Sequence, residues 1–465
     1  MKPIPFVLAL AMLAAAAPDT HPAPLPAVSS SGVPAFAEDM LTPQFWIERT
    51  AAPDAVLLTP AQTASRRAAA YRPGGGFIDL TQLPTTLTRA QVTDWIKQAG
   101  QTPVKLAVDE DGQPVADATL RRLRANTATD RVAGSAPARY GLAVRRAPMR
   151  ALPSADHYFA AADARDYESL TAGVLFPGEP VVIAHASADG QWLLVMTTQG
   201  PAWVAAMDVA EGPAQTVFAY AARSPDVVVT GDHVRTVHTP EAPPVSELDL
   251  DMGVGLPLAD VPPDEPVNGA SGYASRAVQL PVRRADGSLA FQAALIRRSA
   301  ETAPGYLPLT RANILRQAFK FLGERYGWGH QFNARDCSGL VSEVYRSMGL
   351  LLQHSSALQG SGTAFPHRLF TAKDTHAERL RALRLAEVGD LIVVPGHVLM
   401  IIGHVDGAPY VIQDVPYAVF DDPATGRRRK TKLNQVAVTP LLPLYADDTT
   451  LYVDAMTSLV HVTGR

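Results

Sequence analysis

Cysteine is nearly missing from this 465-residue chain, which holds one. A single thiol excludes an internal disulfide framework and any zinc or iron–sulfur site built on several cysteines. Charge of either sign is not in excess: 41 Lys and Arg stand against 45 Asp and Glu, for a net −4. No global field recruits nucleic acid, and no nucleic-acid partner is expected. Long apolar runs are missing beyond the N-terminus, where Ile4 to Ala17 is broken only by a proline. That run is shorter than the ~20 residues a bilayer crossing needs, so no membrane span is expected. Its charged start, short apolar core and small-residue exit read as a secretory signal peptide over 1–17. No cysteine follows it, which excludes a lipid-modified cysteine at its end.

Proline, by contrast, is abundant, with 39 residues where the norm is ~5% of a chain. It argues for turns and short elements over long helical bundles. Hydrophobic residues at 47% suffice for packed cores, and the length suits about three domains. Residues 18–35, rich in Pro, Ala and Ser, read as a flexible leader. Residues 36–134 are mixed and partly helical, with a helix over 86–98. Thr88 is its candidate N-cap, and Val92, Trp95 and Ile96 share a face. From 135 the rhythm turns to short β-runs. Val181 to Ile183, the Asp189-Gly190 turn, Gln191 to Met196 and Ala202-Trp203-Val204 form a hairpin pattern. These residues resemble a bacterial SH3-like barrel over 135–212. Similar short runs over 213–300, with an Asp286-Gly287 turn, read as a divergent second copy interrupted by the acidic stretch 247–251. Residues 301–465 place helices first, over 310–322 and after Asp336, and strands from Leu391 onward, an α+β order.

Cys337 lies in Asp336-Cys337-Ser338-Gly339, at the start of a helix whose apolar face is Leu340, Val341, Val344, Tyr345 and Met348. Gly349 stands at its end. Unpaired N–H groups and the helix dipole at that position favour a thiolate, so easier ionisation is expected. A nucleophilic thiol needs a base. His397, Leu399 and Ile401 alternate onto one face of a strand. If 403–407 form a five-residue loop, Gln413 on the next strand stands directly opposite His397. A thiol, an imidazole and an orienting amide make up the logic of cysteine acyl transfer. His404 falls in the loop by this register and points elsewhere. His330 and His354 lie near Cys337 in sequence but lack an evident orienter. A metal would need three or four ligands, and Cys337, His397 and His404 supply few, so no metal or cofactor is expected. The basic cluster Arg427 to Lys430 with Lys432 reads as a solvated hairpin loop.

Tyr326-Gly-Trp-Gly329, Asp336-Cys-Ser-Gly339, Gly389-Asp390 and Gly396-His397-Val398, in this order, resemble the NlpC-type cysteine peptidases, papain-like hydrolases of the bacterial cell wall. The resemblance covers about 305–440. The upstream layout is also similar to members with a clip-like segment and two SH3-like domains. The resemblance implies a multidomain protein: an α+β papain-like C-terminal domain preceded by two small SH3-like β-barrels and a partly helical N-terminal segment. It implies a periplasmic or extracellular endopeptidase acting at the wall on peptidoglycan stem peptides, between D-glutamate at its γ-carboxyl and the following diamino acid. Cys337 would be the nucleophile, His397 the base, Gln413 the third polar group and Tyr326 an aid to the oxyanion. Asp336, Ser338 and Ser356 resemble the groups that hold the free amine of the stem. Asp163, Asp166, Tyr167 and Glu168, in the long barrel loop 156–171, and Trp203 would face the substrate. Two rivals share these residues: an amidase or transpeptidase on the same constellation, and a non-catalytic wall-binding protein.

Overall fold

A computed structural model describes residues 32–101, 105–422 and 425–463. The expected signal peptide and most of the expected leader lie outside these residues. The leader's last residues are docked: Thr431 Oγ1 donates to the Gly32 carbonyl at 3.1 Å and the Tyr410 hydroxyl to the Ala35 carbonyl at 2.6 Å. Among the described residues no helix is long and apolar enough to cross a membrane.

The N-terminal segment carries the helices Pro43–Glu48, Pro60–Ala70, Arg89–Ala99 and Asp117–Asn126. Thr88 caps the third in a capping box with Gln91, satisfying two otherwise unpaired donors. Its buried face of Val92, Trp95 and Ile96 packs on Leu194, Met196 and Trp203 of the following barrel. The first helix instead enters the C-terminal core. Trp46, 1% exposed, lies 5.4 Å from the Tyr410 ring, and its indole N–H donates to the Met40 carbonyl at 2.9 Å. Gly403 lies against this ring: a Cβ there would approach Trp46 to 2.9 Å. Trp46→Ala is therefore expected to cost ~3–5 kcal/mol of stability in chemical denaturation. A loss below ~1 kcal/mol would show this docking to be incidental.

The first β-unit is a seven-stranded sheet in the order Val209–Gly212, Arg139–Ala143, Pro180–Ala186, Trp192–Thr197, Gly200–Ala205, Ala147–Arg150, Thr171–Leu175. The expected hairpin is present, with Gly200 opposite Thr197 and Trp203 opposite Leu194. The section from 213 to 303 forms three small sheets instead of one. Val227–Val229 lies between Gly255–Leu256 and Thr302–Ala303, His233–Arg235 pairs with Asp249–Asp251, and Ser275–Arg283 pairs with Leu289–Arg297. Its core is shared with Val174 and Phe176 of the first unit. The acidic stretch is no interruption: Asp249–Asp251 is a strand, and both Leu250 and Asp251 are buried.

The C-terminal region begins with the helices Arg311–Ala318 and Cys337–Arg346. An antiparallel sheet follows in the order His367–Leu369, Ser458–Val460, Leu391–Val394, His397–Val405, Ala408–Asp421, Arg428–Pro440. Leu340, Val341 and Val344 of the second helix pack on Val398, Met400, Ile412 and Val436, which seats the helix start over the sheet. The basic cluster opens the last of these strands, where Arg428 and Arg429 pair with Asp421 and Asp422.

Candidate active site

Asp336 caps the helix that carries Cys337. One carboxylate oxygen accepts from the Gly339 N–H at 2.8 Å and the Ser338 hydroxyl at 2.9 Å. The other accepts from the Gly329 N–H at 3.0 Å. This cap places Cys337 at the first helical position. The thiol is only 5% exposed. Burial pushes its ionisation up, and the neighbouring Asp336 charge adds to that, while the backbone at Val398 and Ser338 pulls the other way. The expected easier ionisation is thus reversed. The Gly339 N–H serves Asp336, and the backbone groups left for the thiol do not offset its loss of water.

His397 Nε2 and Gln413 Oε1 lie 2.8 Å apart, and the Gln413 amide donates to Thr439 Oγ1 at 2.8 Å. With the Gln413 N–H turned to Thr439, its oxygen faces the ring, so His397 Nε2 carries the proton and Nδ1 keeps a free lone pair. Burial pushes the imidazole down to about 4, opposed by the bond to Gln413. Both shifts favour the uncharged forms of thiol and imidazole.

The register behind this pair differs from the one expected. The hairpin turns at Asp406-Gly407, both left-handed at φ 51° and 78°, with Val405 opposite Ala408. A bulge follows between Ile401 and Gly403, and Met400 then faces Ile412. Continued to His397, this register puts Gln413 diagonally across instead of directly opposite. A diagonal neighbour on the same face is within reach of a long side chain. His404 lies on the strand, and its Nε2 meets the Leu383 carbonyl at 3.1 Å, away from the thiol.

Tyr326 is buried within electrostatic reach of Asp336 and Cys337. Burial first and the Asp336 charge second push its ionisation far up, so its phenol remains a donor. Tyr167, from the barrel loop, lies 5.7 Å from the Tyr326 ring and 5.4 Å from Trp328. Burial pushes the Tyr167 phenol up to about 12. Tyr452, unforeseen from the sequence, lies 6.1 Å from the His397 ring. Asp414, next to Gln413, was also unforeseen. It is buried with neither side-chain oxygen hydrogen-bonded, and burial, then Asp336 and Glu324, push its carboxyl up to about 9.

Several expected substrate contacts are occupied otherwise. Asp166 accepts from Arg325 at 3.1 Å and Asn434 at 3.3 Å, and pairs with Lys432 at 3.4 Å, so it fastens the barrel loop to the C-terminal region. Glu168 lies inside that loop, bound by Arg150 at 2.7 Å, Thr171 at 2.7 Å and the Tyr158 and Leu170 N–H groups. Trp203 is buried in the packing between the barrel and the N-terminal helix. Asp163 is exposed. Ser356 opens the short helix Ser356–Ser361, which reaches the Cys337 helix through Gln359, whose amide donates to the Ser338 carbonyl at 3.1 Å.

Residues 323–408 match the NlpC/P60 family, and residues 156–205 match the SH3 domain of the SH3b1 type. The C-terminal region thus carries an NlpC/P60-type domain and the first β-unit an SH3b-type domain. The fold is similar to that of an NlpC/P60 endopeptidase from Photobacterium damselae subsp. piscicida. The TM-score is 0.70 at 13% identity, covering 90% of this chain and 97% of that one. An NlpC/P60 family protein from Bacillus cereus overlays at a TM-score of 0.41 and 18% identity, over 63% of this chain and 82% of that one. No curated protein matches the chain in sequence.

Proposed function

We propose that the protein is an exported cysteine endopeptidase of the bacterial cell wall that cuts the γ-D-glutamyl–diamino acid bond of peptidoglycan stem peptides. The observation that carries this reading is the Nε2-bound His397–Gln413–Thr439 chain, which leaves Nδ1 free to act as a base in a region matching the NlpC/P60 family. As sulfur attacks the γ-glutamyl carbonyl, His397 Nδ1 takes the Cys337 proton, so the two neutral groups need not ionise beforehand. The Tyr326 phenol donates to the developing oxyanion. The imidazolium then returns the proton to the leaving amine, and the C–N bond breaks to leave a thioester. Water, deprotonated by the same imidazole, releases the acid and restores the thiol. Gln413 keeps the ring in the productive tautomer throughout. We assign 1–17 to the export signal, 36–134 to the clip-like segment, 135–212 and 213–300 to the two SH3-like units and 301–465 to the peptidase.

Digestion of a stem tripeptide and tetrapeptide, each with a free or acetylated N-terminus, tests this reading by product mass. Release of the diamino acid end is expected. Freeing of the intact stem from its glycan would instead identify an amidase. No cleavage of any stem by a protein whose Cys337 remains alkylatable would overturn the peptidase assignment.

A further inference from the structure

The segment that delivers Asp336 and Cys337 is conformationally costly. Gly329, His330, Phe332 and Asn333 all have positive φ, at 56°, 69°, 58° and 55°. Three of the four are not glycine, and such residues persist only where their surroundings hold them. Part of the hold is local, the Gly329 N–H on Asp336 at 3.0 Å and the His330 ring on Glu343 at 3.1 Å, and the rest comes from outside the peptidase. Arg146, in the turn between Arg139–Ala143 and Ala147–Arg150 of the first β-unit, donates to the His330 and Ala334 carbonyls, each at 3.0 Å. Its Nε also donates to Asp251 Oδ1 at 3.2 Å.

Asp251 belongs to the second β-section and is fully buried. It also pairs at 3.4 Å with Arg335, the residue just before Asp336. Arg335 is itself fully buried. It donates to Glu343 of the nucleophile helix at 2.7 Å and to Glu324 at 2.6 Å. Asp251 thus joins two arginines, one gripping the loop's carbonyls and one lying within it. A buried network of this kind is costly to break because each lost partner leaves a charge without water.

We propose that Arg146 and Asp251 are positioning residues: the two β-sections hold loop 327–336 in its strained form and so set the place of Cys337. The β-sections are then part of the catalytic apparatus as well as any means of reaching the wall. The same face offers a control. Lys320 Nζ donates to the Thr230 carbonyl at 2.7 Å, tying the second β-section to the peptidase without touching the loop.

The full chain is compared as wild type, Arg146→Met, Arg146→Lys and Lys320→Met. Readouts are kcat and KM on a stem tetrapeptide, the rate of Cys337 alkylation by iodoacetamide, and hydrogen exchange of the 327–336 amides. Arg146→Met is expected to lower kcat ~100-fold with KM within ~3-fold. Its loop amides should exchange at least ~10-fold faster. Arg146→Lys keeps the charge but has one nitrogen for three acceptors, and should fall between. Lys320→Met should keep kcat within ~3-fold of wild type. Wild-type kcat and exchange in Arg146→Met would overturn the proposal. So would a Lys320→Met variant as impaired as Arg146→Met, because general undocking would then explain both. If Arg146→Met does not fold, Arg146→Lys is judged by the same two outcomes. The kcat readout rests on the proposed peptidase activity. A wild type that cuts no stem peptide fails that activity, whereas loop exchange and thiol alkylation still decide the positioning role.

Discussion

Cys337→Ala is expected to lower stem-peptide turnover by about 10,000-fold or more while leaving the fold in place. No second cysteine exists to replace this sulfur, and the neighbouring Ser338 hydroxyl is taken up by Asp336. Alanine fills most of the same small site, so the stability change should stay near ~1 kcal/mol. Cys337→Ser should group with alanine, because a hydroxyl is harder still to ionise and faces a weak, neutral base. Rates of diamino acid release, with thermal unfolding beside them, check both. A variant within ~10-fold of wild type would exclude covalent catalysis by this thiol.

Removal of the base comes next. His397→Ala is expected to cost about 1,000- to 10,000-fold in kcat/KM, since its Nδ1 is the base that takes the thiol proton in the proposed mechanism. The pH profile carries the finer test. His397 must be unprotonated to accept the thiol proton, and its burial pushes the folded-state value down to about 4. Activity is then present above that value and lost only as the pH falls through it, well below the ordinary histidine range of ~6.5. The same shift makes folding less favourable over that window, because the unfolded chain binds the proton first. Gln413→Glu should move the acid limb upward, because a carboxylate stabilises the imidazolium where an amide cannot. A limb near the ordinary histidine value in the wild type would show that water reaches the ring.

Local signals were legible wherever they rest on a few consecutive residues. The helix start after Asp336, the apolar face from Leu340, Thr88 as an N-cap and the Trp192–Ala205 hairpin follow from hydrogen-bonding needs and side-chain periodicity within one element. The pairing of His397 with Gln413 was reached through a register that proved wrong by two residues. It survived because a two-residue shift leaves a strand's side chains on the same face. The tight Asp406-Gly407 turn was visible in the sequence as a favoured hairpin dipeptide, whereas the bulge beside Gly403 had no such signal. The acids of the barrel loop show the limit from the other side. Composition alone cannot tell an acid awaiting a substrate from one already held, as Asp166 is by Arg325, Lys432 and Asn434 and Glu168 by Arg150.

The sequence by itself determined which groups could react: one thiol at a helix start, one imidazole on a strand and an amide within reach of it. Only the tertiary structure decided their charge and their setting. Ionisation depends on the water and charge around a group, and both are set by distant residues. The helix dipole, which the sequence shows, favours a thiolate, but the packing over Cys337 removes the water that would solvate one. Arg146 grips a loop 184 and 188 positions further along the chain. A contact of that separation exists only once the β-sections and the peptidase have folded against each other.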